Sequence, residues 1–371
     1  MSRYPVSIAV AAALALGLSH GDEGRIPIYQ PTTITQPGHY IVTRDIAVSS
    51  GVIVRIMATG VTVNLNGHTL SSTSMAENLI EGNPGPPDVA GVAIRNGQLV
   101  GGAEAIHCTP PNPIVIRLEG LKIAAAAERG IYVQGADVVE IRDTSVRAAG
   151  GFALEVAGTT TPTRAMITGS VLAGPGALRL SNAVGTVRDN IMMLPPNPIL
   201  PPSPIVELLN AAGSLLEGNG ISWDDGSFAL PAVQLTGSTG VVLERNVIHG
   251  AGGTAANHGI SVDATSFQAV VRGNSITRCG GNGIRLESSG AQVEGNLVNA
   301  NGLAGTLAGI YAGGDNNALE ANRVAFNSGA GIFFFNSSGH IYRDNILRAN
   351  SGGAIAGPGS PDITDGGGNI P

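Results

Sequence analysis

The sequence predicts an all-β solenoid, a single domain in which about a dozen coils stack into a rod. Two short phrases recur along the second half of the chain, and neither is long enough to form a core of its own. The first phrase places an asparagine among apolar residues, at separations of 27, 28, 22, 26 and 23 residues: Asn219, Asn246, Asn274, Asn296, Asn322 and Asn345. A period of roughly 20–30 residues with so few apolar positions is typical of solenoids, whose units bury apolar side chains against each other.

The second phrase is a glycine followed by alternating apolar and variable residues, which is the pattern of a short β-strand. It stands between asparagine phrases, at 130–133, 259–262, 283–286, 309–312 and 331–334. Helices are disfavoured because the chain contains 54 glycines and 22 prolines, and because no apolar stripe of helical period is sustained after the N-terminal segment. We expect the asparagines to hold turns, in left-handed geometry, and to bond with one another from coil to coil.

Weaker copies of the asparagine phrase extend the repeat toward the N-terminus. They are centred on Gly67, Gly97, Leu121, Thr144, Ser170 and Asn190. With these copies the rod has about a dozen coils, and at roughly 4.8 Å per stacked strand it is on the order of 55 Å long.

These repeats and the opening segment carry a resemblance to a known superfamily. The segment from Ile34 to Leu70 reads ITQPGHYIVTRDIAVSSGVIVRIMATGVTVNLNGHTL. It resembles the start of many exported bacterial proteins of the right-handed parallel β-helix, or pectin-lyase-like, superfamily. The resemblance covers about residues 26–370 and implies a right-handed parallel β-helix. It implies no single activity, since the superfamily contains lyases, hydrolases, epimerases, adhesins and metallochaperone-like proteins.

The N-terminus predicts export. Residues 1–19 contain one arginine, an apolar run and small residues at the end of that run, which is the pattern of a secretory signal peptide. Residues 20–50 are assigned to an N-terminal cap with the first strands, and residues 51–371 to the β-helix. No later segment reaches about 18 consecutive apolar residues, so we expect a secreted or periplasmic protein whose mature form has no membrane span.

The charge balance excludes one class of partner, and the cysteines exclude one cross-link. The full chain has a formal net charge of −7, with 20 basic and 27 acidic residues, and removing the signal peptide takes away one arginine. An acidic chain with a single lysine is not expected to bind nucleic acid. Cys108 and Cys279 are seven predicted coils apart, too far for a disulfide, and are expected to be buried apolar residues.

Many charged residues fall at one position of the repeat, two residues before the asparagine position. Stacking places them in one outward column in which the signs of the charges mostly alternate. This pattern predicts a ladder of exposed ion pairs, and such a charged surface resists pairing with other sheets. The column consists of Arg95, Glu119, Arg142, Arg188, Glu217, Glu244, Arg272, Glu294, Glu320 and Arg343.

The glycine-isoleucine strands predict a different outward surface, made of two columns. The first column is Tyr132, Ala153, Arg179, Glu207, Gln234, Ser261, Arg285, Tyr311 and Phe333. The second column is Gln134, Glu155, Ser181, Leu209, Thr236, Asp263, Glu287, Gly313 and Phe335. Together they contain a polar central patch of Glu207, Gln234, Asp263, Arg285 and Glu287. They also expose three aromatic rings, Tyr311, Phe333 and Phe335, in a chain with only 4% aromatic residues.

Four long insertions are expected to lie on one edge of this surface and to turn it into a groove. They are residues 107–113, 194–204, 222–231 and 249–258. Trp223, His249 and His258 belong to this predicted wall, together with the acidic pair Asp224 and Asp225. The tryptophan is either a sugar platform or a loop anchor, and the two histidines are either an acid–base pair or solvated loop residues.

The first functional hypothesis is an enzyme that acts on a polysaccharide in the groove. For β-elimination from a uronate, Arg285 is the candidate base or electrostatic stabiliser, and Asp263 and Glu287 are candidate Ca²⁺ ligands, the only cofactor suggested. For hydrolysis, two carboxylates flank the scissile bond at about 5–5.5 Å or 6.5–9.5 Å. Asp263 and Glu287 on neighbouring coils suit the shorter separation, and Asp224 or Asp225 across the groove suits the longer.

Two other hypotheses stay open. A non-catalytic exported β-helix that binds glycan or serves as a scaffold or adhesin explains the exposed aromatic residues equally well, and the sequence has no local motif of a lyase or glycosidase family. A periplasmic copper-handling β-helix is suggested by similarity of the opening segment to that branch. Soft copper sites need clustered Cys, Met or His, and these residues are scattered here.

Overall fold

The chain forms one rod of stacked parallel strands. The computed structural model describes residues 24–83, 91–112, 114–148, 150–195, 203–223, 229–335, 337–357 and 362–371. Within these ranges there are 40 strands and no helix, so the predicted all-β parallel solenoid is confirmed. The segment assigned to a signal peptide, residues 1–19, lies outside the described residues. No helix of the described residues has the length and hydropathy that a membrane crossing requires.

One side of the rod is a sheet of 14 parallel strands, one per coil, which we call the front sheet. It contains the predicted glycine-isoleucine strands. Its strands are Thr32–Ile34, Val54–Ile56, Ile80–Gly82, Glu104–Cys108, Arg129–Gln134, Phe152–Ala157, Gly176–Ser181, Val206–Leu209, Val233–Thr236, Ile260–Val262, Ile284–Leu286, Ile310–Ala312, Ile332–Phe334 and Ile355–Ala356.

A second sheet of 26 strands covers two further sides, which we call the side sheet and the back sheet. Two long strands, Val92–Gly101 and Val115–Ala126, run across both. The side sheet also contains Arg25–Ile28, Gly38–Val42, Val61–Asn64, Val138–Arg142, Thr163–Thr168, Ala183–Arg188, Leu215–Glu217, Val242–Glu244, Val270–Arg272, Gln292–Glu294, Ala318–Glu320, Ile341–Arg343 and Thr364–Asp365. The back sheet also contains Ile46–Val48, Thr69–Ser72, Ser145–Ala148, Val171–Ala173, Ile191–Leu194, Gly220–Trp223, Val247–Gly252, Ser275–Cys279, Leu297–Asn299, Arg323–Ala325 and Ile346–Arg348.

The interior is filled by apolar side chains that stack in register from coil to coil. In the front sheet Ile131 lies opposite Leu154, which lies opposite Leu178, and all three are fully buried. Because successive residues of a strand point to opposite sides, the residues between these positions face solvent. Each buried Val, Leu or Ile contributes about 1.5–3 kcal/mol of transfer free energy, so the stack of coils, rather than any single coil, makes the core.

The repeated asparagines form a buried ladder at the corner between the side and back sheets. Asn246 is typical: its Oδ1 accepts hydrogen bonds from the backbone N–H and the amide of Asn219, at 3.0 and 2.9 Å. Its own amide donates to the carbonyl oxygen of Leu216 and to Oδ1 of Asn274, at 2.9 and 3.0 Å. The ladder runs from Asn190 to Asn369, with the predicted coil-to-coil bonds between asparagines. That part of the expectation is confirmed.

The left-handed turn is made by a different residue from the one expected. The ladder asparagines themselves are not among the residues with positive φ. The residue before each of them has φ between 53° and 72°: Asp189, Gly218, Arg245, Gly273, Gly295, Ala321, Asp344 and Gly368. This preceding residue turns the chain at the corner, and the asparagine side chain then points inward, where it bonds to the coil before and the coil after.

The predicted column of charges lies on the outer surface of the side sheet. Glu217 lies opposite Arg188 on one side and Glu244 on the other, and Arg188 pairs with Glu217 at 2.8 Å. Arg245 at the corner pairs with both glutamates, which relieves the repulsion between these two like charges. Further along the column Arg272 pairs with Glu244. The exposed ion-pair ladder is therefore confirmed here.

Both cysteines are buried and free, as predicted. Cys108 ends a front strand, whereas Cys279 ends a back strand. Burial raises the pKa of both thiols, that of Cys108 to about 12.

Replacing Asn246 by alanine should strongly destabilise the rod. The change removes the acceptor of the Asn219 backbone N–H and amide and the side-chain donor to the Leu216 carbonyl, and each buried unpaired group costs about 1–3 kcal/mol. We therefore expect the free energy of unfolding in urea to fall by about 3 kcal/mol or more. Asn83→Ala, at an exposed position, is the control and should change it by less than about 0.5 kcal/mol. Equal effects of the two substitutions would show that the ladder is not a source of stability.

Candidate functional site on the front sheet

The outward side chains of the front sheet form one continuous column, which we call the front column. Parallel pairing places each member opposite the next. The front column consists of Arg55, Glu81, His107, Tyr132, Glu155, Arg179, Glu207, Gln234, Ser261, Arg285, Tyr311 and Phe333. It includes every predicted member of the first outward column except Ala153.

The strand Phe152–Ala157 is displaced by two residues from its predicted register. Leu154, not Phe152, lies opposite the inward Ile131, and Glu155 therefore lies opposite Tyr132 in the front column. Ala153 is fully buried, so its prediction as an outward residue is wrong. The glycine before this strand predicts the wrong register, because Gly151 is followed by a bulky Phe152 that resembles the inward isoleucine of the other phrases.

The central patch comes together as expected. Arg179 donates from Nε to Glu207 at 2.6 Å, and Gln234 and Ser261 follow on the next two coils, all half-buried. The second column continues beside it. The backbone N–H of Asp263 donates to the carbonyl oxygen of Leu235 on the preceding coil. Later members make the equivalent hydrogen bond one coil back: Glu287 to Val262, Gly313 to Leu286 and Phe335 to Ala312.

Arg285 is the centre of the polar contacts on this patch. Its Nη2 donates to Glu287 at 2.5 Å, and its Nη1 lies 3.2 Å from Nε2 of His258. The guanidinium carbon also lies 5.8 Å from the centre of the Tyr311 ring. About a third of the Arg285 side chain stays exposed (38%), so N–H groups that these neighbours leave unused can contact a ligand.

His258 is a buried, neutral neighbour of Arg285 rather than a solvated loop residue. Only 4% of it is exposed, and its Nδ1 accepts a hydrogen bond from the backbone N–H of Asn282 at 3.0 Å, so the proton of the neutral ring is on Nε2, which lies beside Arg285. Burial, and then the positive charge of Arg285, lower the pKa of His258 from 6.5 to about 4. The imidazole is therefore uncharged at neutral pH and is shielded from a ligand on the front sheet.

Asp263 holds the turn that follows its strand. Its carboxylate accepts hydrogen bonds from the backbone N–H and hydroxyl of Thr265, at 3.2 and 2.7 Å, and from the hydroxyl of Ser266 at 2.7 Å. Asp263 and Glu287 occupy equivalent positions one coil apart, as the Ca²⁺ hypothesis requires. Within the part of the chain that the structure describes, however, no group of three or more His, Cys, Asp or Glu residues is arranged to hold a metal.

The three predicted aromatic residues form a stacked cluster, which we call the aromatic platform. The ring centres of Tyr311 and Phe333 are 5.8 Å apart with an interplanar angle of 18°, and Phe335 lies 5.9 Å from Tyr311 at 29°. Phe335 is 44% exposed, and the other two are half-buried. Burial, followed by the charge of Glu287, raises the pKa of Tyr311, so its hydroxyl keeps its proton at neutral pH.

Two residues assigned to the wall lie elsewhere. Trp223 ends a back strand and is 1% exposed within the apolar core, so it cannot serve as a sugar platform. His249 is exposed on the back sheet, where its Nδ1 lies 3.0 Å from the Thr277 hydroxyl, and it is therefore not paired with His258. Asp224 and Asp225 lie outside the described residues.

The insertions do not share one edge as predicted. Those at 194–204, 222–231 and 249–258 connect back strands to front strands. The insertion at 107–113 differs: it begins inside the front strand Glu104–Cys108, and its remaining residues follow that strand toward the side sheet. A loop assignment for His107 was wrong because the strand has no glycine-isoleucine phrase to mark it.

Because His107 was placed in a loop, a second cluster on the front column was not predicted. Glu104, His107 and Arg129 come together with Tyr132, the next member of the column after His107. Counting back 25 residues from Tyr132, one repeat, reaches His107, so the period of the sequence contained a signal for this cluster. The position of Glu104 beside His107 depends on how the side chains pack, and the sequence contains no signal for it.

Comparison with known proteins supports the architecture. The sequence matches the model of the right-handed β-helix region over residues 104–308 and again over residues 232–365. No curated protein sequence matches the chain. A similar solved structure is the A-module of the Azotobacter vinelandii mannuronan C-5 epimerase AlgE4, with 12% identity, a TM-score of 0.53, and coverage of 96% of this chain and 93% of that chain. Another is the periplasmic alginate epimerase AlgG, with 13% identity, a TM-score of 0.52, and coverage of 92% and 82%. At these identities the likeness shows the fold.

Trp223, the only tryptophan, should report a buried environment. We expect blue-shifted fluorescence that acrylamide quenches weakly in the native protein and strongly after denaturation in guanidinium. Addition of a glycan to the native protein should leave the emission unchanged, because the indole does not reach the front surface. Strong quenching of the native protein would contradict the buried position.

His258 should make the rod less stable as the pH falls. The unfolded chain takes up this proton near pH 6.5, whereas the folded protein does so near pH 4, so the free energy of unfolding decreases as pH falls through this window. His258→Gln should reduce that decrease relative to wild type in urea titrations at several pH values. His39→Gln, at an exposed position, should leave the pH dependence unchanged. An NMR titration that gives His258 an ordinary pKa would refute this assignment.

Proposed function

The chain belongs to the right-handed β-helix family, and from that premise we propose that its front sheet binds an extended, uronate-containing polysaccharide. The observation that carries the proposal is the aromatic platform, three stacked rings on an outward surface beside the polar contacts of Arg285. Exposed aromatic clusters are uncommon on protein surfaces and mark binding sites. Sugar rings present apolar C–H faces that pack on aromatic rings and hydroxyl groups that bond to carboxylates, amides and guanidinium groups.

The length of the front column favours a polymer over a small sugar. Tyr132 and Tyr311 are separated by seven strand steps, which at about 4.8 Å each is roughly 34 Å. Half-exposed polar side chains face outward at each step between them, from Glu155 to Arg285. An extended chain lying along the rod would meet one such group per coil.

Two observations favour a uronate. Arg285 is partly exposed and its guanidinium has N–H groups beyond those used by its neighbours, which suits a carboxylate of the ligand. Two proteins with this fold are named as epimerases of mannuronan and of alginate. Together with Glu287, Arg285 would hold a uronate residue next to the aromatic platform. A signal peptide at residues 1–19 would carry the protein to the compartment where such polymers are found.

A non-catalytic role is the second candidate for this half of the rod. The carboxylate of Asp263 is engaged by three hydrogen bonds within its own turn, and Arg285 is paired with Glu287. Both arrangements suit fixed recognition better than proton transfer at these residues. The catalytic assignment of Asp263, Arg285 and Glu287 then becomes one of binding and positioning.

Removing the platform should weaken glycan binding. The double substitution Tyr311→Ala with Phe333→Ala should raise the Kd for mannuronan or polygalacturonate at least about tenfold, equivalent to about 1.4 kcal/mol, because the apolar contacts of the sugar rings are lost. Affinity electrophoresis or calorimetry measures this. Phe326→Ala is the matched control, since Phe326 is exposed at 64% beyond a back strand. The proposal fails if wild type binds neither polymer, or if the control weakens binding as much as the double variant.

A further inference from the structure

We propose that His107 and Tyr132 form a proton-transfer centre that acts on a uronate residue of the polysaccharide bound along the front sheet. This inference rests on the proposed function and adds a catalytic site about seven coils from the aromatic platform. His107 and Tyr132 are neighbours in the front column, with ring centres 5.3 Å apart. Both are partly exposed on the surface that the glycan would cover.

The first support is the buried carboxylate beneath His107. Glu104 begins the same strand, and its side chain is only 3% exposed. It accepts a hydrogen bond from Nε of Arg129 at 2.6 Å and contacts Nδ1 of His107. A carboxylate is rarely buried this deeply unless it is paired, so this one has a defined structural task.

That task is to orient the imidazole. An ionised carboxylate only accepts hydrogen bonds, so Nδ1 of His107 must donate to Glu104. The other nitrogen, Nε2, is then the acceptor of the neutral ring, and 30% of the side chain is accessible. The same hydrogen bond would stabilise the ring after it takes up a proton, as in the carboxylate–histidine pairs of acid–base enzymes.

The second support is the state of the tyrosine. Arg129 lies over the Tyr132 ring, with its guanidinium carbon 3.9 Å from the ring centre, and it pairs with Glu155 at 3.3 Å as well as with Glu104. Burial, followed by the charge of Glu155, raises the pKa of Tyr132 above its usual value. Tyr132 therefore carries its proton at neutral pH, and the centre contains a proton acceptor and a proton donor side by side.

The chemistry available to this pair is removal of the acidic proton next to the uronate carboxylate. Nε2 of His107 takes the proton from C5, and the electron pair of that C–H bond moves into the uronate carboxylate to give an enolate. When the enolate collapses, this electron pair forms the C4=C5 double bond while the bond from C4 to the glycosidic oxygen breaks, and the oxygen takes the proton of the Tyr132 hydroxyl. Transfer of a proton from the imidazolium to the phenolate, directly or through water, restores both groups. If a proton instead returns to C5 before the C–O bond breaks, the hydrogen at C5 exchanges with solvent.

A cation for another uronate residue of the same polymer is available two coils beyond Tyr132. Arg179 uses its Nε for Glu207, lies over the Phe152 ring at 4.6 Å, and keeps about a third of its side chain exposed (34%). Three strand steps, roughly 14 Å, separate it from His107, so its remaining N–H groups can bond to the carboxylate of a uronate further along the polymer and hold the chain in place. Glu104 and Arg129, which act through His107 and Tyr132, are positioning residues.

The test follows proton transfer and binding separately on the full-length protein. Mannuronan and polygalacturonate are incubated in D₂O, and ultraviolet absorbance of the unsaturated product and deuterium at C5 are both measured, by spectrophotometry and NMR. We expect turnover by wild type and a loss of about 10²–10⁴-fold in His107→Gln and Tyr132→Phe, with Kd changed less than twofold. Tyr132→Phe keeps the ring and its contact with Arg129, and His39→Gln is the exposed control.

Glu104→Gln tests the positioning role. It should change the pH dependence of turnover as well as its rate, because the charged partner of the imidazolium is gone, whereas a purely structural carboxylate would change only stability. Binding without product or deuterium exchange in wild type overturns the inference and leaves the proposed function intact. Turnover that survives in His107→Gln but is lost in Arg285→Ala moves the centre to the central patch and also overturns it. Absence of binding to both polymers overturns the two proposals together.

Discussion

The structure depends on parallel stacking in register, which makes residues about two dozen positions apart in sequence into direct neighbours. Backbone hydrogen bonds hold the strands, but the corners between sheets leave N–H and C=O groups that need other partners. The asparagine ladder from Asn190 to Asn369 provides these partners on one corner. A second ladder, Asn301, Asn327 and Asn350, does so between the back and front sheets. Each asparagine inside a ladder bonds to both adjacent coils, so the ladders fix the register on which every surface column relies.

Because the register is fixed, the outward side chains of the front sheet form a linear series along the rod. Its N-terminal part is a network of opposite charges in which Arg129 joins Glu104 to Glu155, and Arg179 joins Glu155 to Glu207. Its C-terminal part is apolar and aromatic. Paired charges hold reactive groups in defined orientations. Stacked rings instead provide apolar contact area that does not require one fixed orientation of the ligand. This division along one face suits a ligand that is held at one end and chemically changed at the other.

The central patch links these two regions. His258 is buried beside Arg285 and stays uncharged at neutral pH, and the Asp263 carboxylate is engaged by hydrogen bonds within its own turn. The cluster around His107 differs in one respect: its imidazole and phenol are partly exposed, while Glu104, the carboxylate that contacts the imidazole, is buried. That difference, rather than the number of polar residues, is the reason for placing proton transfer in the N-terminal region.

The sequence by itself determined the all-β solenoid, the charged column, the aromatic platform and the adjacent positions of the central patch residues, because each follows from a repeat length and a two-residue alternation. It did not determine which way Trp223 and Ala153 face, the place of His249 on the back sheet, or the burial of Glu104 and His258. Those depend on where a corner falls within a coil. A left-handed residue or an insertion shifts the corner relative to the repeated phrases, and only the packed coils reveal which side chains then lie inside.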